Sequence, residues 1–268
     1  MKSDLSDFTF IIPIRLDSII RIENINACIK YLYKHFNTNI LVIEASDYNN
    51  SILYKLLPKS ITYIHIEDRD PIFYRTKFIN IAAKIVTTKF VGIWDCDVIV
   101  DKSQILSAVN KLREGYDISY PYDGRFYDTT QILRENFIKS LNVRFLTRNY
   151  RKMRCIYGKI MKGGGFFANL ESYQKAGMEN ELFYGWGPED FERYERFKLL
   201  EYRIIDISGV MFHLSHPRGM NSTFRSEQQS VKSTRLLHLT RGSSKNELES
   251  NIKNNIILSN ERNNTINI

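Results

Sequence analysis

Apolar runs of strand length alternate with amphipathic segments through the first 120 residues of this 268-residue chain. The runs are rich in β-branched and aromatic residues, and they predict strands over 8–14, 39–45, 61–66 and 90–94. Between the runs, apolar side chains recur every three or four positions and predict helices after residue 18, over 74–86 and over 104–112. Strands that alternate with helices form largely parallel sheets covered on both faces, so the sequence predicts an α/β fold.

A polar appendage is predicted to follow a single domain. A chain of this length can bury the core of one large α/β domain, which we place over residues 1–241. From about residue 242 the sequence becomes polar and rich in Asn, and we treat 242–268 as the appendage. A weak helical stripe within it is predicted from three apolar side chains: Leu248, Ile252 and Ile256.

The chain carries 38 Lys and Arg residues against 30 Asp and Glu residues, a net charge of +8. Such an excess favours anionic partners such as nucleotide diphosphates, anionic membrane surfaces or nucleic acid, without choosing among them. The three cysteines are far apart and predict neither a zinc site nor a disulfide framework, which fits a reducing cytoplasm. No run reaches membrane-spanning length and the N-terminus lacks a signal-peptide pattern. We therefore expect a cytoplasmic protein, with any membrane association peripheral at the inner face.

Two carboxylates, Asp95 and Asp97, follow the fourth predicted strand with one residue between them. Alternate residues of an extended chain point the same way, so both can address one ligand. Two like charges side by side are unfavourable unless a cation or hydrogen-bond donors lie between them, and hard oxygen ligands suit magnesium or manganese. A solvated loop after a buried strand would carry the same residues, so the pattern alone leaves both interpretations open.

Two histidines three residues apart, His213 and His216, lie between an apolar stretch and a turn that Pro217 favours. At the end of an element, two imidazoles with this spacing can reach the same ion. Imidazole added to carboxylate shifts the preference of a site from magnesium toward manganese. One core histidine and one surface histidine would be the ordinary alternative.

The segment YGWGPEDFERYER, over residues 184–196, predicts the start of a helix. Gly187 stands at the N-cap, and Glu189 and Asp190 fall in the first turn, where free N–H groups and the helix dipole stabilise negative charge. One apolar face of this helix is predicted from four side chains: Phe191, Tyr194, Phe197 and Leu200. Capping alone explains the acidic pair, but it does not explain Trp186 between two glycines, which suits a sugar ring approached closely by the backbone.

Six motifs occur along the chain in the order IIPIR, FYRTKFIN, DCD, GGGFFA, YGWGPED and H-x-x-H. In this order, over about residues 10–225, they resemble the catalytic domain of the β1,4-galactosyltransferases and the related bacterial chondroitin-polymerase-type glycosyltransferases. The resemblance implies a single GT-A domain, a Rossmann-like nucleotide-sugar-binding fold with a mostly parallel central sheet and flanking helices. It also implies a nucleotide-binding half over about 8–120 and an acceptor-binding and catalytic half over about 121–241.

The resemblance implies a role for each matching residue. The implied donor-nucleotide contacts are Pro13, Arg15, Phe73, Arg75 and Asp95. The implied metal ligands are Asp97, His213 and His216, and the implied cofactor is Mn²⁺, or Mg²⁺ as an alternative. The implied sugar and acceptor contacts are Gly164, Trp186 and Glu189, with Asp190 as the catalytic base. Lys77 matches the lysine of the FYRTK element.

The sequence also departs from the family pattern. Ile14 replaces an aromatic residue, His213 stands where many members have methionine, and Phe191 replaces a further acidic residue. The animal enzymes' membrane anchor has no counterpart, and residues 123–157, in the acceptor-binding region, match nothing in the family.

The expected reaction is inverting transfer of a hexose or N-acetylhexosamine, of the galactose type, from a UDP-sugar to a glycan or lipid-linked glycan acceptor. A bacterial capsule or surface polysaccharide is the expected product.

Three other functions fit part of the sequence. A nucleotidyltransferase that makes sugar nucleotides would share the fold type and the metal, but residues 14–18 contain none of the glycines of its usual phosphate loop. A nucleic-acid-binding protein is suggested by the charge and by 16 Tyr and 16 Phe, but the basic residues are dispersed and no stacking platform is visible. A glycosidase would need two separated carboxylates, whereas Glu189 and Asp190 are adjacent.

Overall fold

The computed structural model describes residues 2–263 except 157, 159, 218, 220 and 222, and of residues 255–263 it describes the helical backbone alone. Tyr157, at the end of the predicted acceptor-binding segment, and the side chain of Ile256 lie outside the described part. Within that part, no helix combines the length and the apolar character needed to cross a bilayer.

The described residues form eleven strands in two sheets. The strands are β1 (Ser3–Ile14), β2 (Phe36–Ser46), β3 (Thr62–Glu67), β4 (Phe90–Trp94), β5 (Val98–Ile99), β6 (Ile118–Tyr120), β7 (Phe126–Asp128), β8 (Arg154–Ile156), β9 (Gly165–Asn169), β10 (Ile204–Asp206) and β11 (Met211–His213). The seven-stranded sheet has the order β10-β6-β9-β4-β1-β2-β3, and only β9 runs antiparallel to its neighbours. The predicted α/β class with a mostly parallel central sheet is therefore confirmed, together with the four predicted strands.

Helices connect and cover the strands. They are α1 (Ile19–His35), α2 (Ile52–Leu56), α3 (Arg75–Ile85), α4 (Lys102–Arg113), α5 (Gln131–Ser140), α6 (Val143–Asn149), α7 (Leu170–Lys175), α8 (Glu189–Leu199), α9 (Glu227–Gly242) and α10 (Lys245–Asn263), with a 3-10 turn at Tyr150–Lys152. Ser18 caps α1 as its position predicts, because its hydroxyl accepts a hydrogen bond from the backbone N–H of Arg21 at 3.3 Å. The predicted helices α1, α3, α4 and α8 are all present.

Aromatic side chains from neighbouring central strands fill the core of the large sheet. Phe8 contacts Phe167 edge to face at 4.8 Å between ring centroids, and Phe10 contacts Trp94 in the same manner at 5.8 Å. Gly92 of β4 lies between these rings and has no side chain of its own. This packing holds the end of β4, and with it the Asp95–Asp97 turn, in a fixed position.

The second sheet is small and was not predicted. Its order is β5-β11-β7-β8, with β11 parallel to β7 and antiparallel to β5. Each of these strands has only two or three residues, which is too few for an alternating pattern to be recognised in the sequence. The sheet matters because β5 follows the Asp95–Asp97 turn directly and β11 ends at His213.

The prediction for α8 needs two corrections. Pro188, not Gly187, occupies the cap position of the helix. Of the predicted apolar face only Phe197 is fully buried, while Phe191, Tyr194 and Leu200 are partly exposed. The buried side is instead mostly charged and consists of Glu189, Glu192, Arg193, Arg196 and Phe197. Apolar periodicity could not find this face because its burial depends on ion pairs with residues outside the helix or one turn away.

The predicted appendage forms a helix, as its weak apolar stripe suggested. In α10, Leu248 is buried and Ile252 packs against Gly177, where an added Cβ would lie 3.1 Å from the Ile252 side chain. These contacts join the start of α10 to the loop before α8. The domain boundary at residue 241 stays a prediction.

We expect Gly92→Ala to destabilise the fold by about 1–3 kcal/mol, because overpacking a close-packed core forces side chains to shift. A Cβ at this position would lie 2.6 Å from Phe8 Cζ and 2.8 Å from the Phe167 ring. Urea unfolding measures the change in free energy of unfolding. Gly242→Ala is the matched control, because no atom lies within 4 Å of its added Cβ. Equal stability of the two variants would contradict the packing described for β4.

Candidate functional site

A pocket of about 200 Å³ opens where β1, β4 and β11 end and α8 begins. All twelve residues that the sequence suggested for the site line it: Pro13, Arg15, Phe73, Arg75, Asp95, Asp97, Gly164, Trp186, Glu189, Asp190, His213 and His216. Lys77 is exposed and does not belong to the lining. The structure thus brings together residues from separate parts of the chain, while the role of each remains a prediction.

One carboxylate and two imidazoles converge at one end of the pocket. The nearest ligand atoms of Asp97, His213 and His216 all lie within 4.8 Å of one another. His216 Nε2 lies 3.2 Å from one oxygen of Asp97, and His213 Nε2 lies 3.7 Å from the other. All three side chains are nearly buried. One oxygen and two nitrogen donors at these separations fit a divalent transition metal such as manganese.

Each histidine is oriented through its second ring nitrogen. His213 Nδ1 lies 2.8 Å from a carboxylate oxygen of Asp128, and His216 Nδ1 lies 2.9 Å from the carbonyl oxygen of Pro217. When Nδ1–H donates to such acceptors, Nε2 is the nitrogen presented to the centre of the cluster, as in many metal sites. No motif in the sequence indicates Asp128, because its strand β7 lies next to His213 only once the small sheet has formed.

The imidazoles and the arginine around Asp97 keep it ionised. Burial alone would raise its pKa, but His213, His216 and Arg21 together hold the pKa of Asp97 well below its usual range. Arg21 Nη1 lies 3.6 Å from Asp97 and its Nε donates to Asp17. Arg21 lines the pocket, although the sequence did not indicate it as a site residue. Its position in the first turn of α1 carries no pattern that marks it as part of a site.

Arg75 connects the two ends of the pocket. Its Nη2 donates to Asp95 at 2.7 Å, and its Nη1 lies 4.0 Å from Asp190. Nη1 is buried and makes no hydrogen bond with any described residue, so this guanidinium presents an unsatisfied donor to the pocket. Burial raises the pKa of Asp95, whereas the charge of Arg75 acts in the opposite direction. A bound anion would satisfy the remaining donor.

Asp190 is held on both sides by the protein. Arg193, one turn later in α8, donates to its carboxylate at 2.8 Å. On the other side it lies against Gly163, where an added Cβ would come within 2.5 Å of an Asp190 oxygen. The first glycine of the GGG motif is therefore required for close approach, whereas Gly164 needs its positive φ of 82°. The sequence analysis singled out Gly164 only.

Glu189 is buried, and within the described part of the chain one of its carboxylate oxygens accepts no hydrogen bond. Burial and the neighbouring charge of Asp190 raise the pKa of Glu189 to about 8. At neutral pH this side chain is therefore mostly a neutral acid, which can donate a hydrogen bond as well as accept one.

Arg15 and Phe73 form the opposite wall. Arg15 donates to the carbonyl oxygens of Ala45 and Asp70 and to the carboxylate of Asp68, so its donors are engaged by the protein itself. Its guanidinium carbon lies 5.6 Å from the centroid of the Phe73 ring. Arg15 therefore holds this side of the pocket in place. To bind a phosphate, its guanidinium would have to give up hydrogen bonds to these protein acceptors.

The loop before α8 is fixed by contacts from two directions. Tyr184 donates to the carboxylate of Asp70 at 2.6 Å, and Gln229 of α9 donates to the carbonyl oxygen of Tyr184 at 2.8 Å. Trp186, two residues later, is partly exposed in the pocket and contacts Phe224 edge to face. The indole therefore has a defined position with part of its surface open to a ligand.

Solved structures of glycosyltransferases are similar to this fold. The catalytic domain of Drosophila β1,4-galactosyltransferase 7, in complex with xylobiose, matches with a TM-score of 0.55 at 11% identity, over 90% of this chain and 82% of that chain. Glucosyl-3-phosphoglycerate synthase from Mycobacterium tuberculosis, in complex with Mn²⁺, UDP and phosphoglyceric acid, matches with a TM-score of 0.53 at 13% identity, over 88% and 78%. A mannosyltransferase from Pyrobaculum calidifontis, in complex with GDP-Man and Mn²⁺, matches with a TM-score of 0.51 at 15% identity, over 80% and 58%.

These similarities establish the fold, which is that of the GT-A glycosyltransferases, as the sequence motifs implied. At such low identities they establish the fold alone. No family model matches the sequence, and no curated protein matches it either.

We expect Asp128→Asn to raise the dissociation constant for Mn²⁺ about 10- to 100-fold, because the loss of an orienting carboxylate typically weakens a metal site by this amount. Titration calorimetry with Mn²⁺ measures the change directly. Glu135→Gln removes an exposed carboxylate elsewhere and should leave the affinity unchanged. Equal affinities for Asp128→Asn and the wild type would show that Asp128 does not orient a metal ligand.

The raised pKa of Glu189 predicts a pH dependence of stability. The folded protein retains this proton up to about pH 8, whereas the unfolded chain releases it near 4.5, so in this window the folded state binds more protons. The free energy of unfolding of the wild type should therefore fall relative to that of Glu189→Gln as the pH rises from about 4.5 to about 8. Above about pH 8 the difference between the two proteins should stay constant. Urea unfolding across this range tests the prediction, and parallel stability curves would contradict it.

Proposed function

We propose that this protein is a metal-dependent glycosyltransferase that moves a hexose or N-acetylhexosamine, of the galactose type, from a UDP-sugar to a hydroxyl group of a glycan. The observation that carries the proposal is the pocket itself. A three-residue metal-ligand set, an arginine with an unsatisfied donor and an aspartate at a helix N-terminus share one small volume at the strand ends.

The similar solved structures support the choice of donor class. Two of them are complexes with Mn²⁺, one with UDP and one with GDP-Man, and a third is a galactosyltransferase in complex with xylobiose. Mn²⁺ together with a nucleotide diphosphate or a nucleotide sugar thus occurs in two of these structures. We favour uridine because Phe73 and Arg75 stand at the positions of the FYRTK element, which resembles the uracil and diphosphate contacts of the galactosyltransferases.

The difficult step is departure of the nucleotide diphosphate, which takes up negative charge. A divalent cation held by Asp97, His213 and His216 would stabilise that charge. Arg75 supplies a second positive group through its unsatisfied Nη1, at a position fixed by Asp95. Preorganised charge of this kind needs no rearrangement during the reaction, which is why it contributes strongly to catalysis.

Asp190 is placed to act as the base. It stands at the N-terminus of α8, where the helix dipole favours the ionised form, and Arg193 adds a positive charge at 2.8 Å. The hydrogen bond from Arg193 also holds the carboxylate in the position from which it would accept a proton from an acceptor hydroxyl. A single displacement assisted in this way inverts the configuration at the anomeric carbon.

Trp186 and Glu189 are proposed to hold the sugars. The partly exposed indole offers a flat apolar face for a sugar ring, and the mostly neutral Glu189 can donate a hydrogen bond to a hydroxyl. The acceptor is proposed to be a glycan or a lipid-linked glycan. A role in bacterial capsule or surface polysaccharide synthesis follows from the resemblance to the chondroitin-polymerase-type enzymes.

We expect the protein with Mn²⁺ to hydrolyse UDP-galactose or UDP-N-acetylgalactosamine slowly, and to bind UDP in preference to GDP and CMP. Arg75→Gln should weaken UDP binding about 10- to 100-fold, because a charge-assisted hydrogen bond is worth roughly 1.5–3 kcal/mol. Lys77→Gln, two residues away but exposed, is the matched control and should keep its affinity. Greater thermal stabilisation by GDP than by UDP would contradict the choice of donor.

Asp190→Asn tests the base. Asparagine is nearly isosteric, so UDP affinity should remain, while the rate of transfer should fall about 10²- to 10⁴-fold. Because Arg193 loses an ionic partner, the melting temperature is measured on the same preparation. Glu195→Gln, in the same helix, removes a partly exposed carboxylate that pairs with Arg241 outside the pocket lining, and it should leave turnover intact. A folded Asp190→Asn protein with normal turnover would refute the assignment, and Asp190→Glu, which keeps the charge, provides a second test should the asparagine variant unfold.

A further inference from the structure

The excess positive charge of the chain comes from a single segment. Residues 136–170, which we call the basic segment, contain eight Lys and Arg residues and no Asp or Glu. The rest of the chain therefore contains 30 basic and 30 acidic residues and is neutral overall. The basic residues are dispersed along the sequence, as expected, but the acidic residues are not, and this difference creates one strongly positive region.

Most of this charge is exposed and not neutralised. The exposed cations, which we call the basic face, are Lys139, Arg144, Arg148, Arg151, Lys152 and Arg154. Within the described part of the chain, no carboxylate lies within 4.0 Å of any of them. Some surface cations elsewhere are paired, as Arg113 is with Asp7 and Lys245 with Glu201, whereas others, such as Lys55 and Lys59, lie exposed outside the basic segment. Six exposed cations without nearby carboxylates produce a positive potential that attracts a polyanionic partner.

The cations form a compact surface. Arg144, Arg148 and Arg151 are spaced by four and three residues along α6 and the turn that follows, so they project from one side of the helix. α6 packs against α5, and the turn leads into β8. These three cations therefore lie along one side of a surface helix and outside the pocket, which suits an extended anionic partner better than a small ligand.

Exposed isoleucines lie on α5, which carries Lys139, and on α1, which packs against α5. Ile19 is 75% exposed and Ile132 is 73% exposed, more than any other large apolar side chain among the described residues. Ile19 begins α1 and Ile132 lies in the first turn of α5, and Arg134 connects these helices by donating to the carbonyl oxygen of Ile20 and to Asn24. A soluble polyanion binds through the cations alone, whereas an anionic bilayer surface binds the cations and also accommodates apolar side chains.

The basic face is also close to the candidate active site. Arg154, at the start of β8, is paired across the small sheet with Asp128. Asp128 in turn contacts His213 of the metal-ligand set. One strand therefore separates the basic face from the pocket, and a surface bound at this face would lie beside the pocket.

We propose that the basic face, together with Ile19 and Ile132, docks the protein on a bilayer that contains anionic lipids. This rests on the proposed function and extends it, because a docked protein holds its pocket next to acceptors that are anchored in the same bilayer. Cations contribute the long-range attraction, and the isoleucines enter the boundary between headgroups and acyl chains.

Sedimentation of the full chain with vesicles tests the proposal. The protein should bind vesicles made of equal parts phosphatidylglycerol and phosphatidylcholine, and should not bind phosphatidylcholine alone. The triple variant Arg144→Gln, Arg148→Gln, Arg151→Gln should bind the anionic vesicles about 100-fold more weakly, because each cation near an anionic surface contributes a factor of about five. Absence of binding to the anionic vesicles, or equal binding to both, would overturn the proposal.

A matched triple variant separates this surface from net charge. Lys55→Gln, Lys59→Gln and Arg235→Gln remove three exposed cations outside the basic face, and the variant should keep most of the vesicle affinity. An equal loss in both triple variants would show that only the total charge matters and would overturn the proposal. The single variant Arg148→Gln, with an expected loss of about fivefold, serves if the triple variant does not fold.

The isoleucines distinguish a bilayer from a soluble polyanion. Ile19→Ser with Ile132→Ser should weaken vesicle binding and leave binding to dextran sulfate unchanged. If this pair leaves vesicle binding unaltered, or if a single-stranded oligonucleotide binds more tightly than the vesicles, the face serves another polyanion and the proposal is wrong.

A separate assay keeps this proposal distinct from the proposed function. Mn²⁺-dependent hydrolysis of UDP-sugars without vesicles should be the same in the wild type and in the Arg144, Arg148, Arg151 variant, because these side chains lie outside the pocket lining. A wild type that binds vesicles but hydrolyses no UDP-sugar refutes the enzymatic proposal and leaves membrane docking in place.

Discussion

The guanidinium of Arg193 is the interaction on which the candidate site depends. It is almost fully buried, and it donates to Glu179 at 2.9 Å and to Asp190 at 2.8 Å while its carbon lies 3.9 Å from the centre of the Phe166 ring. A buried charge without partners costs several kcal/mol, so these contacts must form together with the core. The first turn of α8 is thereby joined to β9 and to the loop before α8, and the position of Asp190 follows from a core interaction.

The same principle governs the rest of the pocket. Three carboxylates each have an arginine beside them: Asp95 has Arg75, Asp97 has Arg21, and Asp190 has Arg193. Like charges in a small volume repel, and this local pairing makes their proximity possible. Glu189 is the exception. Within the described part of the chain, one of its oxygens accepts no hydrogen bond, and burial together with the neighbouring charge of Asp190 raises its pKa to about 8.

Much of the site could be predicted because its residues follow the ends of predictable elements. Asp95 and Asp97 come directly after β4, and Glu189 and Asp190 begin α8, so patterns of strand and helix placed each pair at the end of an element. The resemblance to the galactosyltransferases implied that both pairs belong to one site. Asp128 and Arg21 could not be predicted, because their place in the site comes from strands and helices that meet only after folding. The buried face of α8 was mispredicted for a related reason, since its charged residues are buried only through ion pairs with residues such as Glu179.

The sequence by itself determined the α/β class, the order of the main strands and helices, and twelve of the residues that line the pocket. These depend on hydrophobic periodicity, capping and motif order, which are local properties of a chain. Only the tertiary structure decided that Asp95 pairs with Arg75, that Asp128 orients His213, and that Arg15 is engaged by the protein itself. These depend on distances between residues far apart in the chain, and no local pattern specifies such distances.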